Sequence, residues 1–257
     1  MPALKATDAL RRHERIAFQF SGGKDSTAAL FMLREFWPRM SVYWLNSGDA
    51  FPETAAFVRD IGAMFERFIE VPGRVADAVA GFGIPADVIP DGCSEEAWAL
   101  KINTGPLLQD RAMCCARSKI VPMHQRMIDD GITLIVRGQR ADDQYKGPHA
   151  SGDVVDGVEL YYPIEHWSDS EVMAWLVSHD ILPPLYSEGI QRSGDCMRCS
   201  AWLGDRRSEY LAKNHPAAFQ DYGRRLMTIC RAAEPSVARL FSESIAWQSA
   251  HEKFNRG

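Results

Sequence analysis

The sequence is short of most features that would settle its class at once. Six cysteines in 257 residues are too few for a disulfide scaffold, which small exported domains need and a chain of this length does not. No apolar run approaches the roughly 20 residues that a membrane span requires. The opening MPALKATDALRRHER holds no apolar stretch of signal-peptide type. The expectation is a cytoplasmic protein, with no membrane partner and with reduced thiols, and clustered reduced thiols point to metal. A basic excess is also missing: the net charge is −5, so a polyanion would have to meet a local patch rather than a global field. No internal repeat, low-complexity segment or linker is visible, which argues for one large domain, or one domain with an appendage.

What is there is alternation. Apolar runs at residues 16–20, 41–45, 67–71 and 132–138 read as buried strands, and YYPI at 161–164 as another short one. Between them lie segments with helical spacing: residues 26–35, a stretch opened by Pro52, SKIVPMHQRMIDDG with a stop at Gly131, and SDSEVMAWLVSHD. In the last of these Ser168 and Glu171 stand at capping-box spacing. Residues 72–99, rich in Gly, Pro and Asp, give no readable element, and residues from 200 onward read as helices with loops. Strand–helix alternation at this spacing implies an α/β fold, with a mostly parallel sheet of about five strands, helices on both faces, and a helical C-terminal region.

The segment FQFSGGKDSTAALFML places two glycines where a strand must turn into a helix. Gly22 and Gly23 allow φ > 0 and a close backbone approach, while the new helix aims its dipole and unpaired N–H groups at the same point. Such a place binds anions, phosphate above all. Lys24 can add charge, and Asp25 can bind Mg²⁺ or cap the helix. The spacing is neither G-x-x-x-x-G-K-[ST] nor G-x-G-x-x-G. Further on, Arg137, Arg140 and Lys146, with Asp142, follow the end of a strand, where open α/β sheets bind ligands; the plainer reading is a solvated loop. His124, His149 and His166 show no ligand spacing. The tryptophans at 167, 175 and 202 read as core and interface.

Cys114 and Cys115 are adjacent in RAMCCARSKIVP, and Cys196 and Cys199 form a C-x-x-C. The two pairs together supply four thiolates to one metal centre. Neighbouring cysteines strain any disulfide between them, yet each can take a different metal of one cluster. Iron–sulfur, zinc and unligated thiols all remain open on these residues alone. Cys93 and Cys230 have no partner spacing.

SGGKDS after a strand resembles the PP-loop of the ATP pyrophosphatases, which split ATP into AMP and pyrophosphate. The rest of the chain is similar to the phosphoadenosine phosphosulfate (PAPS) reductase family. LNSGDAFPETAAFV matches its "DTG…FPET" segment, with Asn46 where aspartate is usual. RGQRADDQ at 137–144 matches its "G-x-R" region, and residues 161–200 match its long "P…W…V…P…LY…G…C-x-x-C" block. CCARSKIVP with the distant C-x-x-C is similar to the pattern of the family's [4Fe–4S]-binding members, with Ser118 where arginine is usual.

This resemblance implies a PP-loop adenine-nucleotide-binding domain over residues 1–200, including the cysteines, and a helical extension over 201–257. It implies nucleotide contacts from Ser21, Gly22, Gly23, Lys24, Asp25, Ser26, Asn46, Gly138 and Arg140, with Lys24, Asp25 and Arg140 in the chemistry. It further implies a [4Fe–4S] cluster on Cys114, Cys115, Cys196 and Cys199, with Mg²⁺ beside the nucleotide.

Two activities are consistent with that family. One is a reductase that releases sulfite from adenylyl sulfate or PAPS, which in this family uses a cysteine on a mobile C-terminal tail; here no cysteine follows Cys230. The other takes ATP itself, because the loop is intact, and activates an acceptor for sulfur incorporation, as in tRNA thiolation or DNA phosphorothioation. The second is the preferred expectation. A silent nucleotide-binding subunit is a third. Expected partners are an adenine nucleotide, a sulfur-donor protein, a nucleic-acid acceptor and a second copy of the chain.

Overall fold

The computed structural model describes residues 8–143, 146–190, 194–204 and 206–254. Gln144, the last residue of the RGQRADDQ segment, and residues 191–193 within the long matching block lie outside them, as do the first seven residues and the last three.

The main sheet has six strands in the order β3–β2–β1–β6–β8–β7. They are β1 (Ile16–Gln19), β2 (Met40–Asn46), β3 (Phe68–Pro72), β6 (Leu134–Arg137), β7 (Val154–Val155) and β8 (Val158–Tyr161). All neighbours run parallel except β7 and β8. Ile16, Phe18, Val42, Trp44, Leu134 and Val136 point to one face, where they pack with helices α1 (Lys24–Met32), α2 (Pro52–Gly62) and α7 (Asp169–Ser178). Ala17, Tyr43 and Ile135 point to the other, against Met123 and Met127 of α6 (Val121–Asp129). Period-two alternation with both faces apolar is what a doubly covered parallel sheet requires. The expected α/β fold is therefore present, with one strand more than the sequence indicated.

The unreadable stretch holds α3 (Val75–Phe82), β4 (Ile84–Ala86) and α4 (Glu95–Ala99). Strand β4 pairs with β5 (Leu108–Asp110) in a separate two-stranded sheet. Helix α5 (Arg111–Cys115) continues through a wider π-helical turn, Ala116–Ile120, into α6. The strand expected at 161–164 is displaced: β8 ends at Tyr161 because it is the second arm of a hairpin. The hairpin turns at Asp156 (φ 51°) and Gly157 (φ 82°), an Asp-Gly pair suited to a tight two-residue turn.

Beyond the short α8 (Pro184–Ser187) come α9 (Arg207–Asn214) and the 39-residue α10 (Pro216–Phe254). Their roots dock through Tyr210, Leu211, Ala218 and Tyr222 onto Phe51, Leu185 and Ile190. No helix among the described residues is long and apolar enough to cross a membrane.

Candidate nucleotide and cysteine sites

The chain leaves β1 toward β2 on one side and returns to β6 on the other. This reversal opens a crevice at the carboxyl ends of β1 and β6, where open α/β sheets take ligands. Gln19 pairs with Arg137, so the loops of residues 20–23 and 138–143 emerge side by side. Their fit is close. A Cβ at Gly138 would lie 2.6 Å from the backbone of Asp25 and Ser26, and one at Gly22 (φ 73°) would lie 2.5 Å from Val58.

Gly23 is the N-cap of α1 and supplies no side-chain cap, so the first N–H groups of the helix are left for a ligand. The loop is held from beneath. Ser21 and Ser26 hydroxyls lie 3.0 Å apart, and Ser26 Oγ and Thr27 Oγ1 donate to the Gly23 carbonyl at 3.0 and 2.9 Å. Above it opens a cavity of about 470 Å³, lined by Ser21, Gly22, Gly23, Asp25, Ser26 and Gly138 among others. Six of the residues expected to meet nucleotide are thereby brought together.

Three expected residues stand aside. Asn46 ends β2, donates to Glu70 at 2.6 Å and accepts from the Gly48 N–H at 3.0 Å. Lys24 and Arg140 are buried behind the loop and do not line the cavity. Lys24 Nζ lies 2.9 Å from Asp25 and 2.7 Å from Asp169; Arg140 lies 2.8 Å from Asp25 and 3.1 Å from both Asp143 and Asp169. The hydrogen bond from Lys24, opposed by partial burial and aided by both cations, holds the Asp169 carboxyl below its ordinary range. Asp25 and Asp143 are the carboxylates of this network that reach the cavity, and their hard oxygen donors suit Mg²⁺.

The cavity also gathers residues that sequence reasoning passed over: Lys119, His124, Tyr186 and Asp195. Burial, with Arg137 nearby, lowers the His124 pKa, so the ring is neutral near pH 7. Burial raises that of Tyr186; its phenol stays protonated and faces the loop, 3.6 Å from where a Cβ on Gly23 would stand. Of the two readings of the loop after β6, Arg137 fits the ligand one, since it lines the cavity, whereas Lys146 donates to the Ala141 carbonyl. Trp167 and Trp175 pack edge-to-face with each other and lie against the main core.

All six cysteines are free, and Cys114, Cys115, Cys196 and Cys199 line one second cavity. The vicinal pair comes from α5, whose N-terminus Asp110 caps by accepting from the Ala112 and Met113 N–H groups. The C-x-x-C loop is fastened to the β2–α2 loop. Met197 N–H donates to the Asp49 carbonyl, Arg198 Nε meets the Asp49 carboxylate at 2.6 Å, and Ser47 donates to the Asp195 carbonyl. Arg207, wholly buried, donates to the Cys196 carbonyl at 2.8 Å.

Burial pushes the Cys114 thiol up to about 11, with Cys115 and Cys199 adding to it, and the Cys196 thiol up to about 12. Arg111, Lys119 and Arg225 share the cavity walls and supply positive charge for thiolates. Four thiols ringed by cations fit an iron–sulfur cluster in donor chemistry. Among the described residues no three His, Cys, Asp or Glu side chains converge to hold a single ion. Cys93 and Cys230 line neither cavity.

Lys119 and Asp195 join the two sites. Lys119 lines both cavities and pairs with Asp195 at 3.3 Å. Burial alone would lower its pKa, but Asp195, Cys196 and Cys115 carry it upward.

Comparison with known proteins agrees with this geometry. Residues 15–202 match the model of the phosphoadenosine phosphosulfate reductase domain. The chain is 26% identical over 199 residues to an adenosine 5'-phosphosulfate reductase of Allochromatium vinosum, covering 74% of this chain and 70% of that one. It is 25% identical over 195 residues to a phosphoadenosine 5'-phosphosulfate reductase of Gloeobacter violaceus, covering 75% and 74%. Its fold is similar to that of a phosphoadenylyl-sulfate reductase from Candida auris, solved as a phosphate complex, with a TM-score of 0.50 at 16% identity over 72% of this chain and 83% of the other.

Proposed function

We propose that this chain, which belongs to the phosphoadenosine phosphosulfate reductase domain family, binds ATP at residues 21–26 and cleaves it to AMP and pyrophosphate, activating an acceptor for sulfur incorporation. The observation that carries this reading is the uncapped helix N-terminus at Gly23, set at the switch point and open to a cavity of about 470 Å³. Such a terminus is suited to a polyphosphate because its N–H groups and dipole are fixed before the ligand arrives.

In this reading the N–H groups of residues 21–26 hold the β- and γ-phosphates, and the Ser21 and Ser26 hydroxyls brace the loop from within. Attack by an acceptor oxygen on the α-phosphorus breaks its bond to the bridging oxygen and the electron pair leaves on pyrophosphate; a sulfur nucleophile then attacks the adenylylated acceptor, breaks its bond to that oxygen and releases AMP. The loop stabilises that leaving group. Asp25 and Asp143 would hold Mg²⁺, which offsets phosphate charge. Arg137 and Lys119 face the rest of the nucleotide, and Tyr186 donates its phenolic proton to a phosphate oxygen. Cys114, Cys115, Cys196 and Cys199 would hold a [4Fe–4S] cluster, which would supply electrostatic or structural support to the wall they share with the nucleotide. A vicinal pair with a C-x-x-C pair suits a cluster, in which each thiolate takes its own iron.

A second reading, a sulfonucleotide reductase, is favoured by the names of the two curated relatives. It needs a mobile thiolate at the nucleotide. With four thiols around the second cavity, only buried Cys93 and exposed Cys230 remain. The deciding experiment measures AMP and pyrophosphate from ATP beside sulfite from adenylyl sulfate or PAPS with a thiol donor, with and without nucleic acid. Pyrophosphate release supports the first reading. Sulfite release that Cys230→Ser abolishes, with no ATP cleavage in any condition, overturns it.

A further inference from the structure

The two cations expected to touch phosphate instead stand in a closed circuit. Asp25 meets Lys24, Lys24 meets Asp169, Asp169 meets Arg140, and Arg140 meets Asp25, at 2.9, 2.7, 3.1 and 2.8 Å in turn. The circuit ties together three segments far apart in sequence: the first turn of α1, the loop after β6 and the start of α7. Its members differ sharply in exposure. The Lys24 and Arg140 side chains are 10% and 8% accessible, whereas that of Asp169 is 65% accessible.

Asp169 lines neither of the two cavities described and sits just after the Ser168 cap of α7, where the helix N-terminus favours a negative charge. Helix α7 begins with a capping box of its own, in which Ser168 and Glu171 satisfy each other's N–H groups. The helix start therefore does not depend on Asp169 for its cap. Asp169 is the most exposed member of the circuit, and its loss opens the circuit without emptying a buried position.

We propose that Asp169 is a positioning residue for the nucleotide site: by holding Lys24 and Arg140 together it fixes the Asp25 carboxylate at the cavity edge, and so sets how tightly the site takes Mg²⁺ with its nucleotide. The inference rests on the reading of residues 21–26 as a phosphate site. With Asp169 present, each cation has a carboxylate on either side, and Asp25 is pinned through both of its partners. Without that carboxylate, Lys24 and Arg140 answer only to Asp25 and Asp143 and draw Asp25 back from the cavity. Glutamate, one methylene longer, retains the charge and part of the geometry.

The test uses Asp169→Asn and Asp169→Glu in the full chain, with ATP binding followed by calorimetry over a Mg²⁺ series and pyrophosphate release measured in parallel. Expected for Asp169→Asn is a roughly two- to fivefold rise in the Mg²⁺ concentration for half-maximal nucleotide binding, with unchanged ATP binding at saturating Mg²⁺ and an unchanged melting temperature. Asp169→Glu should restore at least half of the shift. A purely structural residue would lower the melting temperature and leave the Mg²⁺ midpoint alone, and that result overturns the inference. An unshifted midpoint in Asp169→Asn overturns it too, while leaving ATP cleavage by the wild type as strong as before. Wild-type protein that binds Mg²⁺-dependent ATP without cleaving it removes the pyrophosphatase reading; a shifted midpoint in Asp169→Asn would still support the positioning role.

Discussion

Alanine at position 138 asks whether the two loops at the switch point act as one unit. Gly138 follows the last residue of β6 and lies against the first turn of α1. A Cβ there would stand 2.6 Å from the carbonyl carbon and oxygen of Asp25 and from the nitrogen of Ser26. All three are backbone atoms, so no side-chain rotation relieves the contact. Ordinary contact begins near 3.4 Å, so the two segments must separate by about 0.8 Å. Overpacking of this kind costs about 1–3 kcal/mol. Taking about 2 kcal/mol, a chain of this size should melt roughly 4–8 °C lower.

The functional loss should be larger than the stability loss. The displaced atoms include the Ser26 N–H in the first turn of α1, and a shift of about 1 Å in a catalytic group can cost about a hundredfold in rate. Gly81→Ala is the control. It lies within α3 with nothing within 4 Å of a new Cβ, and alanine in a helix interior should stabilise by about 0.5–1 kcal/mol. Thermal unfolding by circular dichroism and pyrophosphate release from ATP give the two readouts. Wild-type melting and turnover in Gly138→Ala, or an equal fall in Gly81→Ala, would refute the contact argument.

Asp25→Ala should lower pyrophosphate release about a hundredfold, on the order of 3 kcal/mol in the barrier, because Asp25 lines the cavity, whereas Lys24→Ala, which acts only through Asp25 and Asp169, should cost less; retained release in Asp25→Ala would remove that carboxylate from the chemistry. Protein purified without oxygen should be brown and carry about four irons; Cys114→Ser and Cys199→Ser should lose them, Cys93→Ser should not, and stoichiometric zinc in their place would refute the cluster. Lys119→Ala should weaken ATP binding and shift the cluster spectrum together, with Lys119→Arg milder on both; a change in only one would show that the two cavities do not share this wall.

Much of the site could be read from the sequence because it is built locally. SGGKDS lies between a strand and a helix within one stretch, and its conformation follows from two glycines and the N–H groups that succeed them. The capping box at Ser168 and Glu171 was equally legible, since three residues of spacing determine it. Lys119, His124, Tyr186 and Asp195 were not, because only the packing of α6, α8 and the C-x-x-C loop around the crevice brings them to the cavity. Lys24 shows the limit from the other side. Its place in the motif marked it as a phosphate ligand, but Asp169 lies 145 residues away and claims its ammonium group. The missed hairpin at Asp156 and Gly157 had a readable signal, the Asp-Gly pair between VV and VELY, which the more apolar YYPI obscured.

The cysteine pairs and the phosphate loop looked like separate motifs in the sequence, and their connection is mechanical. The C-x-x-C loop is bound by Asp49, Phe51 and Ser47, which lie between β2 and α2. Helix α2 begins one residue later, and its Val58 is the side chain against which Gly22 closes. Its Glu53 accepts hydrogen bonds from Tyr210 and His215 at 2.8 and 2.9 Å, so the roots of α9 and α10 brace the same short helix. A displacement of Cys196 therefore has two routes to the phosphate loop: through Asp195 and Lys119 into the cavity wall, and through the β2–α2 loop into the packing behind Gly22. A cluster held by Cys114, Cys115, Cys196 and Cys199, with all four irons ligated by cysteine, would thus act on the phosphate loop through these structural routes rather than through an open iron.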